Sequence, residues 1–96
     1  MTAYVIFDII SLHPEQMADY GEKAIASLKP FDGKLVAASS EVDSREGGWR
    51  PERIAIIEFP TMAKAQGWYE SPAYQEVLPL RLKAHRDKMV IVPGLD

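Results

Sequence analysis

The stretch Arg53-Ile54-Ala55-Ile56-Ile57-Glu58-Phe59-Pro60-Thr61, with the continuation to Arg81, decides how this chain folds. Its first seven residues are mostly β-branched or apolar, too few for a globular helix, and are halted by a proline, so they read as a strand. Thr61 then offers a hydroxyl cap for a short helix carrying Ala65, Trp68 and Tyr69 along one stripe. Ser71-Pro72 repeats the cap-and-proline start, and that helix continues through Val77 and Leu78. Pro79 is expected to kink or break it before a continuation to about Arg86.

Working outward from this stretch, Ala3 to Ile10 is β-branched and aromatic and forms the first strand. His13-Pro14 opens a helix, with Glu15 beside its positive end, and Met17, Tyr20, Ala24 and Leu28 recur at three- and four-residue spacing as far as Lys29-Pro30. Asp32-Gly33 is turn chemistry. Lys34 to Val42 reads as a weaker second strand in which Ser39-Ser40 marks a bulge or bend. Asp43 to Pro51, holding Gly47-Gly48, is a polar connection. Met89 to Val92 is the last strand, closed by Pro93-Gly94. The order is β-α-β-β-α-β with the second helical region split. This is the pattern of an α+β, ferredoxin-like sandwich: a four-stranded antiparallel sheet with helices on one face.

Helices can cover only one face of such a sheet, so the other should be polar if it met water. It is not. In the first strand Ala3, Val5, Phe7 and Ile9 alternate with Tyr4, Ile6, Asp8 and Ile10. In the third, Ala55, Ile57 and Phe59 alternate with Ile54, Ile56 and Glu58. Both parities are largely apolar, and a symmetric homodimer with stacked sheets is the simple way to cover the second.

Ninety-six residues, 47% of them apolar, fit a single globular domain spanning 1–96 with a thin core of its own. The net charge of −3 and scattered Lys and Arg argue against a nucleic-acid partner. Cysteine is absent, which removes disulfides, thiol nucleophiles and thiolate metal sites and fits a reducing cytoplasm. No window approaches the 18 or so apolar residues of a membrane helix, and the N-terminus lacks the form of a signal peptide. The expectation is a cytoplasmic protein without a membrane partner.

These residues resemble the family described as domain of unknown function 1330. The resemblance rests on Tyr4, Pro14-Glu15, Phe31-Asp32-Gly33-Lys34, Glu46-Gly47-Gly48-Trp49-Arg50-Pro51-Glu52-Arg53, Glu58-Phe59-Pro60, Trp68-Tyr69-Glu70-Ser71-Pro72-Ala73-Tyr74-Gln75 and Leu80-Arg81. It covers nearly the whole chain. The spacing departs by one residue around Gly47-Gly48, and Ala38-Ser39-Ser40 replaces the family's frequent Arg/Gly segment. The resemblance implies a dimeric α+β barrel, in a superfamily that includes cofactor-free monooxygenases, isomerases and haem-binding enzymes. It therefore assigns no reaction.

If the helix continues past Pro79, Arg81 shares a face with Tyr74, Val77 and Leu78, and a guanidinium there either meets a carboxylate, from Glu46, from Glu58 or from an anionic ligand, or is simply exposed. Trp68 and Tyr69 are adjacent, so one fills the core while the other faces outward or lines a cleft. Tyr74 and Tyr20 carry hydroxyls for a structural bond or a polar ligand. Asp8 and Glu58 lie on apolar strands, as general bases or as partners of Arg53 or Arg81. Glu46 serves either a turn or a pocket. Of the two histidines, His85 is the candidate for proton transfer, and Ser71 is a helix cap rather than a nucleophile.

The functional expectation is a homodimeric, metal-free and cofactor-free protein that binds a small apolar or carboxylate-bearing molecule between sheet and helices. Its candidate site comprises Trp68, Tyr69, Tyr74, Arg81, Glu46 and Glu58. The protein would either bind that molecule or act on it as a cofactor-independent enzyme. The alternative is a non-catalytic dimerisation or interaction module. A cavity of about 300 Å3 or more favours the first reading and a solidly packed subunit the second.

Overall fold

The structure, a computed structural model, describes residues 1–10, 17–84 and 86–95. The expected helix start at His13-Pro14, and His85, lie outside these. The elements run β1 (Ala3–Ile9), α1 (Met17–Leu28), a 3-10 turn (Lys29–Phe31), β2 (Lys34–Ser39), β3 (Arg53–Phe59), α2 (Met62–Glu70), α3 (Pro72–Ala84) and β4 (Lys88–Pro93). The strands form one antiparallel sheet in the order β2-β3-β1-β4, which is the ferredoxin-like topology.

The helix boundaries follow the local chemistry. Thr61 Oγ1 accepts the Lys64 N–H at 3.1 Å and starts α2. Ser71 serves both of its neighbours: its hydroxyl donates to the Trp68 carbonyl at 2.7 Å and accepts the Tyr74 N–H at 3.2 Å, so one residue closes α2 and opens α3. Of the expected kink or break at Pro79, the break does not occur: Pro79 lies inside an α3 that runs continuously from Pro72 to Ala84. Pro79 and Gln75, four residues earlier, are both exposed, so the carbonyl that loses its helical partner faces water rather than the core.

β2 differs in another way from its expected form. Its irregularity falls at Val36 rather than Ser39-Ser40: Leu35 stands opposite Ile57, whereas Ala37 stands opposite Ile56. One extra residue resets the alternation, so Leu35 and Ala38 both turn to the helix-covered face. The strand ends at Ser39, whose hydroxyl accepts the Glu41 N–H at 2.9 Å.

The core lies between the sheet and the helices. Ala3, Val5, Phe7 and Ile9 of β1 are buried together with Ile57 and Phe59 of β3, Ala65 and Trp68 of α2, and Tyr74 and Val77 of α3. The intervening residues of β1 point the other way and are half-buried. On that outer face Tyr4 and Ile6 run beside Ile54, Ile56, Val90 and Val92, the last two 58% and 39% exposed. The alternation read in the sequence is therefore present, with one apolar face under helices and the other uncovered within the subunit.

Candidate functional site

A cavity of about 270 Å3 lies between α1 and the sheet. Its floor is Phe7 and Ile9 of β1, Ala55 and Ile57 of β3, and Leu35 and Ala38 of β2. The roof is the α1 stripe of Tyr20, Gly21, Ala24, Ile25 and Leu28. The hollow has a local cause. Gly21 and Ala24 present almost no side chain, and a methyl group added at Gly21 would meet nothing within 4 Å. Trp68 forms one end wall.

Trp68 is held by both rings and hydrogen bonds. Its ring centroid is 4.2 Å from Tyr74 and 5.5 Å from Phe59. Its indole N–H donates to Ser27 Oγ at 2.9 Å, and that hydroxyl donates to the Ala24 carbonyl at 2.6 Å. Trp68 is therefore the core-filling member of the adjacent aromatic pair. Tyr69 is half-buried and packs beside Trp68 and Tyr74 without lining the cavity.

The polar end of the cavity is built from Tyr20 and Asp87, with Tyr74 and Arg81 behind them. The Tyr20 and Tyr74 hydroxyls are 2.9 Å apart. Burial, followed by the neighbouring Tyr74, pushes the Tyr20 phenol far above the usual tyrosine range. Tyr74 is also raised by burial, against the opposing effects of its bond to Tyr20 and of Arg81. Both are neutral hydrogen-bonding groups at physiological pH, and neither is a base there.

The Asp87 carboxylate faces Arg81 Nε at 4.0 Å and accepts the Ile10 N–H at 3.2 Å. The Arg86 N–H donates to the Ile10 carbonyl at 2.7 Å, so both residues tie the start of β4 to the end of β1. The carboxylate opposite Arg81 is thus Asp87, six residues along the chain, and neither Glu46 nor Glu58. The Arg81 guanidinium also stacks over Phe7, 5.2 Å from the ring centroid. Its Nε and Nη1 are buried without a hydrogen-bond partner among the described residues.

Of the residues singled out in the sequence, Trp68 lines the cavity, Tyr74 and Arg81 back its polar end, and Tyr69 packs outside it. Glu46 is exposed in the loop beside Gly47 and Gly48, which adopt positive φ. Glu58 stands between Tyr4 and Lys34 on the outer face of the sheet, away from the cavity. Asp8 is on that face too and accepts the Trp49 indole N–H at 2.9 Å. Asp87 has no signal in the sequence beyond a carboxylate beside a strand, and Arg53, which lines the cavity, reads from the sequence only as a carboxylate's partner. Among the described residues there is no group of three His, Cys, Asp or Glu able to hold a metal ion, and no helix long and apolar enough to cross a membrane.

The sequence matches the family described as Domain of unknown function (DUF1330) over residues 2–95. No curated protein matches it. Among solved structures, it is similar to a protein of unknown function, RPA0582, from Rhodopseudomonas palustris, with 17% identity, 99% of this chain and 83% of that one covered, and a TM-score of 0.74. It is similar to a dimeric ferredoxin-like protein of unknown function from Jannaschia, with 14% identity, coverage of 98% and 100%, and a TM-score of 0.70. It is also similar to SnoaB, a cofactor-independent oxygenase from Streptomyces nogalater, with 9% identity, coverage of 99% and 93%, and a TM-score of 0.68. At these identities the likeness establishes the fold.

Proposed function

The chain belongs to the DUF1330 family, and from that premise we propose that it forms a homodimer whose subunits each bind one small, largely apolar molecule in the cavity beneath α1. The observation that carries this reading is the cavity itself. It is apolar around most of its wall and has one polar end where a neutral Tyr20 hydroxyl and the Asp87 carboxylate meet. That is the usual composition of a ligand site: apolar walls with a few fixed polar groups.

The volume of about 270 Å3 falls just below the roughly 300–1,000 Å3 common for ligand clefts, and so selects a compact ligand. An engineered apolar cavity of about 150 Å3 accepts benzene, so one or two small rings set the scale. Any reaction would be cofactor-independent, as in the oxygenase SnoaB, with Tyr20 acting as a neutral hydrogen-bond donor to a substrate oxygen. Trp68 would set the depth of the site, and Tyr74 and Arg81 would fix its polar end.

Two observations support the homodimer. The outer face presents Ile6, Ile54, Ile56, Val90 and Val92 as one apolar surface, and the Jannaschia protein of this fold is dimeric. Burying several aliphatic side chains on each partner, at roughly 25 cal/mol per Å2, is a gain large enough to offset association costs.

Native mass spectrometry of freshly purified protein tests both parts. The proposal predicts a mass of two chains with a small molecule retained, and loss of that molecule in Ala24→Leu, which fills the roof without touching the outer face. A single-chain mass would refute the dimer. Retention unchanged in Ala24→Leu would place the ligand elsewhere.

A further inference from the structure

Resting on that reading of the cavity, we infer that its ligand is a monocarboxylate with a compact apolar body, and that Arg53 holds the carboxylate. Among the described residues, two charged ones line the cavity, Arg53 and Asp87. The Asp87 charge is already matched: Arg81 Nε lies 4.0 Å away and the Ile10 N–H donates to it. Arg53 has no such match. Among the described residues no carboxylate lies within 4.0 Å of it, and its one side-chain hydrogen bond runs from Nη1 to Ser40 Oγ at 3.5 Å, the outer limit for such a contact. With the Arg81–Asp87 pair formally neutral, Arg53 is the positive charge left among the described lining residues.

Position supports the same assignment. Arg53 stands opposite Ile9 in the register, on the helix-covered side of the sheet, and is half-buried. Phe7, Ile9, Leu35, Ala55 and Ile57 continue the wall inward from it without a charge. A ligand lying along this wall would bury an apolar body and leave its head at the guanidinium. Arg81 is unsuited to the task. It does not line the cavity, and its Nε and Nη1 are fully enclosed behind Phe7.

The planar fork of a guanidinium matches a carboxylate through two parallel N–H···O bonds. A phosphate monoester, carrying close to two negative charges, would leave part of its charge unmatched near Asp87.

Titration calorimetry with phenylacetate and its neutral counterpart phenylacetamide tests the inference in wild type, Arg53→Gln and Arg53→Lys. Phenylacetate should bind wild type about tenfold more tightly than phenylacetamide, the contribution of one charge-assisted hydrogen-bonded pair. Arg53→Gln should erase that preference while phenylacetamide binding stays within about twofold, and Arg53→Lys should restore part of it. Equal binding of the two probes to wild type, or a preference that survives in Arg53→Gln, overturns the inference while leaving the cavity reading intact. If neither phenylacetamide nor phenylacetate binds wild type, the cavity reading itself falls and this inference with it. Should Arg53→Gln fail to fold, the wild-type comparison of the two probes still decides.

Discussion

Beneath the helices, one end of the sheet is solid and the other hollow. At the solid end Phe59, Trp68 and Tyr74 interlock around Ala65, Ala3 and Val5, every one of them at most 1% exposed. At the hollow end α1 spans Phe7, Ile9 and Ala55 with Gly21 and Ala24, and the space stays open. Two glycines report the difference. A methyl group at Gly33 would sit 2.7 Å from a Phe59 ring carbon and 2.9 Å from Leu28, whereas one at Gly21 meets nothing. The same thin, 96-residue chain thus leaves a cavity where complete packing would add stability.

Substitutions on the two sides should break or sharpen this contrast. The largest effect is expected at Trp68→Ala, a loss of about 3–5 kcal/mol in urea unfolding, because a fully buried aromatic with a hydrogen-bonded indole leaves a void. Next comes Gly33→Ala, expected to cost about 1–3 kcal/mol through overpacking against Phe59. A cost near zero would mean that the solid end can yield.

Tyr20→Phe follows, with a loss of about 1 kcal/mol for its bond to Tyr74. Its pH dependence is more telling. The folded-state pKa of Tyr20 is raised by burial, so the folded protein keeps a proton that the unfolded chain releases. That contribution is complete below the unfolded value of 10.0 and is lost as pH rises above it. Thermal melts of wild type should therefore weaken above about pH 10, and Tyr20→Phe should flatten the decline. The smallest effect is a gain: Gly21→Ala should stabilise by about 0.5–1 kcal/mol, since the alanine suits a helix and has room.

Much of this fold was legible because each signal is local. Pro60-Thr61 and Ser71-Pro72 mark helix starts by chemistry that needs no tertiary partner, and the double apolar parity of β1 and β3 announces a second face to cover. No break follows at Pro79 because a break depends on whether the freed carbonyl is buried, and here Gln75 and Pro79 are both exposed. The bulge at Val36 was invisible because it is a property of pairing with β3, not of β2 alone. The polar end of the site was only half legible. Arg81 stood out on an apolar stripe, but its partner Asp87 occupies an irregular turn whose place is fixed by bonds to β1. The cavity was least legible of all, being made of what Gly21 and Ala24 lack above residues far off in the chain.

The proposed occupancy of the hollow end is tested most directly by methyl NMR of the intact protein during titration with phenylacetate. The account predicts shifts at Ile9, Ala24, Leu35, Ala38, Ala55 and Ile57, whose methyl groups are among those lining the cavity. Those at Ile6, Ile54, Ile56, Val90 and Val92, on the opposite face of the same sheet, should stay in place. Shifts confined to the second set, or to neither, would contradict it.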